Sequence, residues 1–235
     1  MTPTLSVKGL AASIGKIPVL RGVDLHVRSG ETVALLGRNG VGKTSTLRAI
    51  LGLLPRRAGK VAYKGDDLAR LPAHRLSGEG IGYVPQGRGI FPNLTVEENL
   101  FLGLRGAPVS ALVDDIYARF PRLAERKGQA AGTLSGGEQQ ILAIGRCLMR
   151  QPSLILLDEP TEGIMPKLVA DIRREIQTIA RQGVAILLVE QNLRTALKLA
   201  SRIYLMEKGV VVHEATPDQL AADASTVHRY LGVAL

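Results

Sequence analysis

Hydrophobic and polar positions alternate with two periods along this chain, and the switches between them mark its elements. Leu5 to Leu10 and Leu20 to Val27 alternate as half-buried strands do, with turns at Ser13–Gly15 and Ser29–Gly30. Val33 to Leu36 is an unbroken aliphatic strand; the spacing of Leu47, Ile50 and Leu51 then predicts a helix. Gly59 to Tyr63 with a turn at Gly65–Asp67 predicts a second hairpin, so the early strands form an antiparallel sheet beside Val33–Leu36. Ile81 to Val84 reads as a buried strand ending at Pro85, and Gly87 to Pro92 as a loop. Thr95 with Glu98 three residues on is a capping box that opens a helix. Val109 to Phe120 and the Ile141–Leu148 pattern are helical by spacing, and Leu154 to Leu157 is a strand buried on both faces. No repeat, low-complexity segment or long linker interrupts this order.

The segment TVALLGRNGVGKTSTLRAIL, Thr32 to Leu51, carries the first chemistry. Gly37, four residues, Gly42, Lys43 and Thr44 fit the phosphate-binding loop pattern, and the loop lies between a strand and a helix, as that pattern requires. Glycines let successive N–H groups turn inward on an anion, and the helix adds its positive end. Lys43 is a point charge for the β- and γ-phosphates. Thr44 offers a hydroxyl to Mg²⁺; Ser45 comes one place too late for the metal and is counted with the nucleotide-binding residues. The plain alternative is a glycine-rich turn.

Leu154–Leu157 ends in Asp158–Glu159–Pro160. Carboxylates at the C-terminal end of a parallel strand face the crevice where ligands bind. Asp158 can hold Mg²⁺ through water and Glu159 can polarise an attacking water; the alternative is a pair of N-capping acids for the next helix. Ser135–Gly136–Gly137 precedes a long helix and exposes backbone N–H groups, a second anion site. One γ-phosphate does not need two such sites in one chain, so this one is read as serving a nucleotide held by another copy or partner.

Composition narrows the setting. With 235 residues, 46% of them hydrophobic, one large α/β domain or two small ones can be built. The longest aliphatic run, Val184 to Val189, is too short to cross a bilayer, and MTPTLSVKGL lacks a signal-peptide pattern, so a soluble cytoplasmic protein is expected. The lone cysteine, Cys147, excludes an internal disulfide and reads as a buried structural thiol. The net charge of +9 permits a nucleic acid or an anionic membrane as partner. Three phenylalanines, five tyrosines and no tryptophan leave few platforms for stacking bases.

The ordered set GRNGVGKT, Gln86, LSGGEQQ, LILLDEP and Gln191 resembles the nucleotide-binding subunit of ATP-binding-cassette transporters along the whole chain. YVPQGRGIFPNLTVEENL, DEPTEGI and LLVEQN resemble the subunits that power branched-chain amino acid uptake, with urea and short-amide importers close by. The resemblance implies a P-loop NTPase (RecA-like) α/β core, an antiparallel β subdomain and a helical subdomain inserted at about 89–151, all in one domain, 1–235. It implies ATP and Mg²⁺ as ligands, with Gly37, Arg38, Asn39, Gly40, Val41, Gly42, Lys43, Thr44 and Ser45 on the nucleotide. Thr44, Gln86 and Asp158 would hold the metal; Glu159 would be the catalytic base, with Gln86 and Gln191 beside it. Ser135, Gly136, Gly137 and Glu138 would form the signature that closes on the partner's γ-phosphate, and Thr161 to Ile164 the dimer-contact loop.

Two positions depart from the wider family: Gln191 replaces the switch histidine, and Ile14 stands where an aromatic residue stacks on adenine. The implied partners are a second cassette (homologous but different, or a second copy), two transmembrane permease subunits and an extracytoplasmic solute-binding protein. The implied place is the cytoplasmic face of the membrane. An exporter subunit is one alternative, and a regulatory cassette without turnover another, against which Lys43, Asp158 and Glu159 argue. Chromosome-type cassettes insert long coiled coils between Gln86 and Ser135, and translation-type chains carry two cassettes; neither pattern is present, so no nucleic acid is expected.

Overall fold

The alternating N-terminal segments pair as their pattern requires. In the computed structural model, which describes residues 2–104, 106 and 109–232, β1 (Leu5–Ile14) and β2 (Ile17–Val27) form an antiparallel hairpin with Leu5 opposite Val27. Both strands run further toward the turn than alternation alone indicates, because their exposed ends bury little. β3 (Thr32–Leu36) is buried throughout, and α1 (Lys43–Ile50) follows the loop. β4 (Arg56–Tyr63) pairs with β1, and β5 (Asp66–Asp67) with β4, giving one antiparallel sheet in the order β2-β1-β4-β5.

β6 (Ile81–Val84) leads into the helical stretch. That stretch holds α2 (Val96–Phe101), α3 (Ser110–Arg119), α4 (Pro121–Glu125) and α5 (Gly136–Leu148), and the chain returns to β7 (Leu154–Asp158). Thr95 caps α2 through the expected capping box with Glu98. Arg105, Ala107 and Pro108, inside the expected 89–151 insertion, lie outside the described residues. Next come α6 (Pro166–Arg181), β8 (Ala185–Glu190), α7 (Leu193–Leu199), β9 (Arg202–Glu207), β10 (Val210–Ala215), α8 (Pro217–Ala222) and α9 (Ala224–Leu231).

The second sheet has the order β10-β9-β3-β8-β7-β6, parallel except for the β10 edge. Its central strands β3, β7 and β8 are buried along their length, as a parallel sheet covered on both faces demands. One core lies between this sheet and the antiparallel one, with α1 in it. A second lies under α2, α5 and α6, where Ile172, Ile176 and Ile179 contribute about 1.5–3 kcal/mol each by burial. A third joins α7, α8 and α9 to β3 and β9. Cys147 sits in the second core against Gly82, and burial pushes its thiol up to about 12, an inert structural residue.

The register places the functional loops together. Leu36 aligns with Glu190, Asp158 with Val189, and Val84 with Leu157. Because these strands are parallel, the segments at Gly37, Gln86, Glu159 and Gln191 all leave the same edge of the sheet.

Candidate active site

Gly37 opens the loop because nothing larger fits. A Cβ there would lie 2.5 Å from Met206 O and 2.8 Å from Val41 Cγ2. Gly42 precedes α1 with φ +114°, a conformation that side chains disfavour, and Val19 O, Leu20 and Met206 surround it. Thr46 N–H closes the first helical bond, to Gly42 O at 2.8 Å, so the N–H groups before it have no partner within α1. Gly209 N donates to Val41 O at 2.9 Å, so the β9–β10 turn braces the loop from behind.

Lys43 does not reach into solvent. It is 5% exposed, and its Nζ donates to Gly37 O at 2.9 Å and to Arg38 O at 3.2 Å. It also pairs with Glu159 at 3.4 Å. Thr44 Oγ1 donates to Asp158 Oδ1 at 3.0 Å, and Tyr83 OH to Asp158 Oδ2 at 3.4 Å. Burial holds the Asp158 carboxyl above its ordinary range, outweighing the bonds from Thr44 and Tyr83 and the Lys43 charge. Burial raises Glu159 as well, against Lys43 and helped by Glu162. Tyr83 is pushed up to about 12 by burial and by Asp158.

Neither carboxylate caps the next helix. Glu159 stands at φ 48° with its N–H donated to Val189 O at 2.9 Å, whereas α6 begins at Pro166 with Met165 as its cap residue. Gln86 closes the group: its Nε2 donates to Glu159 Oε2 at 3.2 Å and to Glu162 Oε2 at 2.8 Å.

This donor set fits a divalent cation bound with phosphate. A hydroxyl and a carboxylate lie side by side, with an amide near them, all hard oxygen ligands. No cluster of three or more His, Cys, Asp or Glu among the described residues forms an all-protein cage. Mg²⁺ is characteristically held by one or two carboxylates plus substrate phosphates.

Gln191 is exposed at the end of β8, on the same edge. Before it, Glu190 is 2% exposed. Thr161 Oγ1 donates to Glu190 Oε1 at 2.8 Å and Asn192 N to Oε2 at 3.3 Å. Burial raises the Glu190 carboxyl despite these bonds. Tyr83 and Glu190 lie at this site although the sequence reading does not single them out, and it singles out Glu162 only within the Thr161–Ile164 contact loop. Glu190 stands in a strand of aliphatic residues, a position where a carboxylate needs partners, and that, beside its place in LLVEQN, was its signal.

Ser135 to Glu138 lie apart. No hydrogen bond or ion pair among the described residues joins them to Gly37–Thr44 or Glu159. Ser135 caps α5: its Oγ accepts from Glu138 N at 3.4 Å, and Glu138 Oε2 accepts from Ser135 N at 2.9 Å. Burial works to raise Glu138, but the Ser135 hydroxyl and N–H, with Arg126, hold it below its ordinary value. Glu138 therefore completes a capping box with Ser135. Gly137 packs on α6, where a Cβ would strike Leu168 at 2.3 Å. With the box occupied by Ser135 and Glu138, the Gly136 and Gly137 N–H groups of the first turn have no partner within the helix.

Ile14 ends the hairpin opposite Ile17, and both are exposed, 55% and 69%. Val19, two residues further along β2, packs on Gly42, so the hairpin tip adjoins the phosphate loop.

Known proteins share this layout. The family model described as ABC transporter matches residues 20–162. The high-affinity branched-chain amino acid transport ATP-binding protein BraG of Pseudomonas aeruginosa is 42% identical over 231 residues, 97% of this chain and 99% of that protein. The lipopolysaccharide export system ATP-binding protein LptB of Escherichia coli K12 is 36% identical over 239 residues, 97% of each. Among solved structures, a nucleotide-free ATP-binding cassette from an ABC transporter superposes with a TM-score of 0.85 at 24% identity over 100% of both chains. An ATP-binding subunit of an ABC transporter gives 0.82 at 29% identity, over 94% of this chain and 93% of that one.

Proposed function

This chain belongs to the ABC transporter family of ATP-hydrolysing subunits, and we propose that it powers an importer of branched-chain amino acids. The single observation that carries the solute is the full-length similarity to BraG. The similarity to LptB supports an exporter as the second reading.

The geometry of the sheet edge supports the following chemistry for these residues. Gly37, Arg38, Asn39, Gly40, Val41, Gly42, Lys43, Thr44 and Ser45 bind the triphosphate through backbone N–H groups and the Lys43 charge. Thr44 and Asp158, with Gln86, hold Mg²⁺; when bound, that ion neutralises charge on the phosphates. Glu159 takes the proton of the attacking water, and its raised pKa brings it nearer to neutral pH, where a base works best. Gln86 orients that carboxylate and reports its state. Gln191 donates an amide N–H to the γ-phosphate without adding charge. Ser135, Gly136 and Gly137, set by Glu138, close on the nucleotide of a second cassette. Ile14 and Ile17 offer the base an aliphatic surface only.

The surface is compatible with the partners we propose. No described helix is long and apolar enough to cross a membrane; the similarity to transport ATP-binding proteins supports permease subunits as the route for solute. A groove of about 360 Å³ between α5 and the segment after α1 exposes Leu53, Phe91 and Leu102 around Arg146 and Arg150, and suits a short permease helix. The second cassette is a homologous but different chain, the assembly lies on the cytoplasmic face, and an extracytoplasmic protein delivers the solute. Affinity purification of the full chain from native membranes tests this. We expect two permeases, another cassette and a solute-binding protein that takes up leucine, isoleucine or valine. A lipid-export partner set would overturn the solute assignment.

A further inference from the structure

The loop that carries Gln86 also carries an arginine with no assigned task. Gly87, Arg88 and Gly89 have φ of 77°, 73° and 59°. Arg88 is thus held in the left-handed region, which a long side chain disfavours, between two glycines that accept it. The turn aims its side chain at the first turn of α5. Nη1 donates to Gln139 Oε1 at 2.9 Å. A Cβ on Gly136 would lie 2.5 Å from Arg88 Nη2 and 3.0 Å from Cζ, so the guanidinium fills the space that the glycine leaves.

No ion pair accounts for this placement. Among the described residues no carboxylate pairs with Arg88. The cation lies instead at the N-terminal end of α5, where the helix dipole opposes positive charge. A strained backbone and an unfavourable field meet at one residue, a combination found at functional positions more than at structural ones. Gln139 extends the contact, since its Nε2 donates to Leu134 O at 3.1 Å, immediately before Ser135. On its other side Gln86 is bonded to Glu159 and Glu162. Direct contacts therefore run from the catalytic carboxylate, through the Gln86 loop and the Arg88 fork, to the Ser135–Gly137 turn.

We propose that Arg88 is a positioning residue that couples the two half-sites of one chain. Nucleotide on the chain's own phosphate loop moves Gln86. Arg88 transmits the change to Gly136 and Gln139, setting the N–H groups offered to the second cassette's nucleotide. The inference rests on the nucleotide reading above.

Amide hydrogen exchange on the full chain, in the slow-turnover Glu159→Gln background, with and without Mg-ATP, tests it. Slower exchange is expected at Gly37–Thr44, together with changed exchange at Leu134–Gln140. Adding Arg88→Ala should leave the first response intact and abolish the second, and Gln139→Ala should do the same. Arg88→Lys keeps the charge and loses the fork; it should behave as the alanine variant and carries the test if that variant unfolds. A residue that only staples α5 would lower the melting temperature and leave the nucleotide response at Leu134–Gln140 in place. That result, or no response there in the parent, overturns the coupling. Absence of a response at Gly37–Thr44 itself would instead overturn the nucleotide reading, and the coupling with it.

Discussion

Replacing Glu159 by glutamine should move binding and turnover in opposite directions. Glu159 and Lys43 are 3.4 Å apart, with side chains 8% and 5% exposed, and the pair occupies the mouth of the phosphate loop. A triphosphate must share Lys43 with that carboxylate and tolerate its negative charge. Two unit charges ~4 Å apart at an effective dielectric of ~20 interact by about 4 kcal/mol. Realising a third of that repulsion would weaken ATP binding about tenfold, since tenfold is ~1.4 kcal/mol. Glu159→Gln removes the repulsion and keeps an oxygen for Gln86, so ATP affinity should rise about tenfold. The same change removes the general base, and turnover should fall by about 10²–10⁴, a barrier increase of ~2.7–5.5 kcal/mol. Calorimetry on the purified chain gives the affinity, and phosphate release in the assembled transporter gives the rate. Turnover near that of the wild type would remove Glu159 from the chemistry. Weaker binding with slower turnover would mean that the substitution merely damaged the site.

Three further outcomes are expected. Lys43→Ala should weaken ATP binding about 10–100-fold, the loss of a charge-assisted hydrogen bond, and unchanged affinity by calorimetry would place the phosphate site elsewhere. GTP should compete with ATP within about tenfold because Ile14 cannot stack on a base, and Ile14→Tyr should favour ATP by ~1–3 kcal/mol with little change in turnover; a wild-type preference for ATP beyond about a hundredfold in competition binding would show that another residue reads adenine. Burial raises the Glu190 pKa, so its favourable contribution is full below the ordinary carboxylate value of 4.5 and is lost as pH rises through the raised one. The melting temperature of the wild type relative to Glu190→Gln should therefore climb as pH falls from 7.5 toward 4.5, and a pH-independent difference would refute the assignment.

How much of this was legible depended on whether the signal was local. The buried runs Val33–Leu36, Ile81–Val84 and Leu154–Leu157 became strands at those places because only a doubly covered sheet suits them. Thr95 and Glu98 gave their cap away, whereas Ser135 and Glu138 form the same box and were read only as a motif. Leu168, Ile172, Ile176 and Ile179 space a helix plainly enough, yet α6 went unread beside the more conspicuous acidic pair before it. Other features were out of reach. Arg202 begins a buried strand at 8% exposure only because Glu31, far away in sequence, grips it at 2.7 Å, with His26, Glu214 and Tyr204 around it. The Lys43 bonds to Gly37 O and Arg38 O and the Thr161–Glu190 bond also depend on the fold, and no spacing rule announces them.

The charge at the sheet edge argues for the order in which the proposed ligands matter. Asp158, Glu159 and Glu162 lie together, and among the described residues the ammonium paired with Glu159 is that of Lys43, which already gives its hydrogen bonds to Gly37 and Arg38. Burial raises Asp158 and Glu159, which means that their charged forms are held there at a cost. Adding a triphosphate alone would increase that negative charge. A divalent cation would supply positive charge there, and Thr44 and Asp158 are the residues whose oxygens would hold it. Among the described residues no hydrogen bond or ion pair joins the Ser135–Gly137 turn to its own chain's phosphate loop, which supports the proposal that the turn serves another chain's nucleotide. On that proposal one cassette would hold the metal and the base for its own phosphate, and present its helix turn to that of a neighbour.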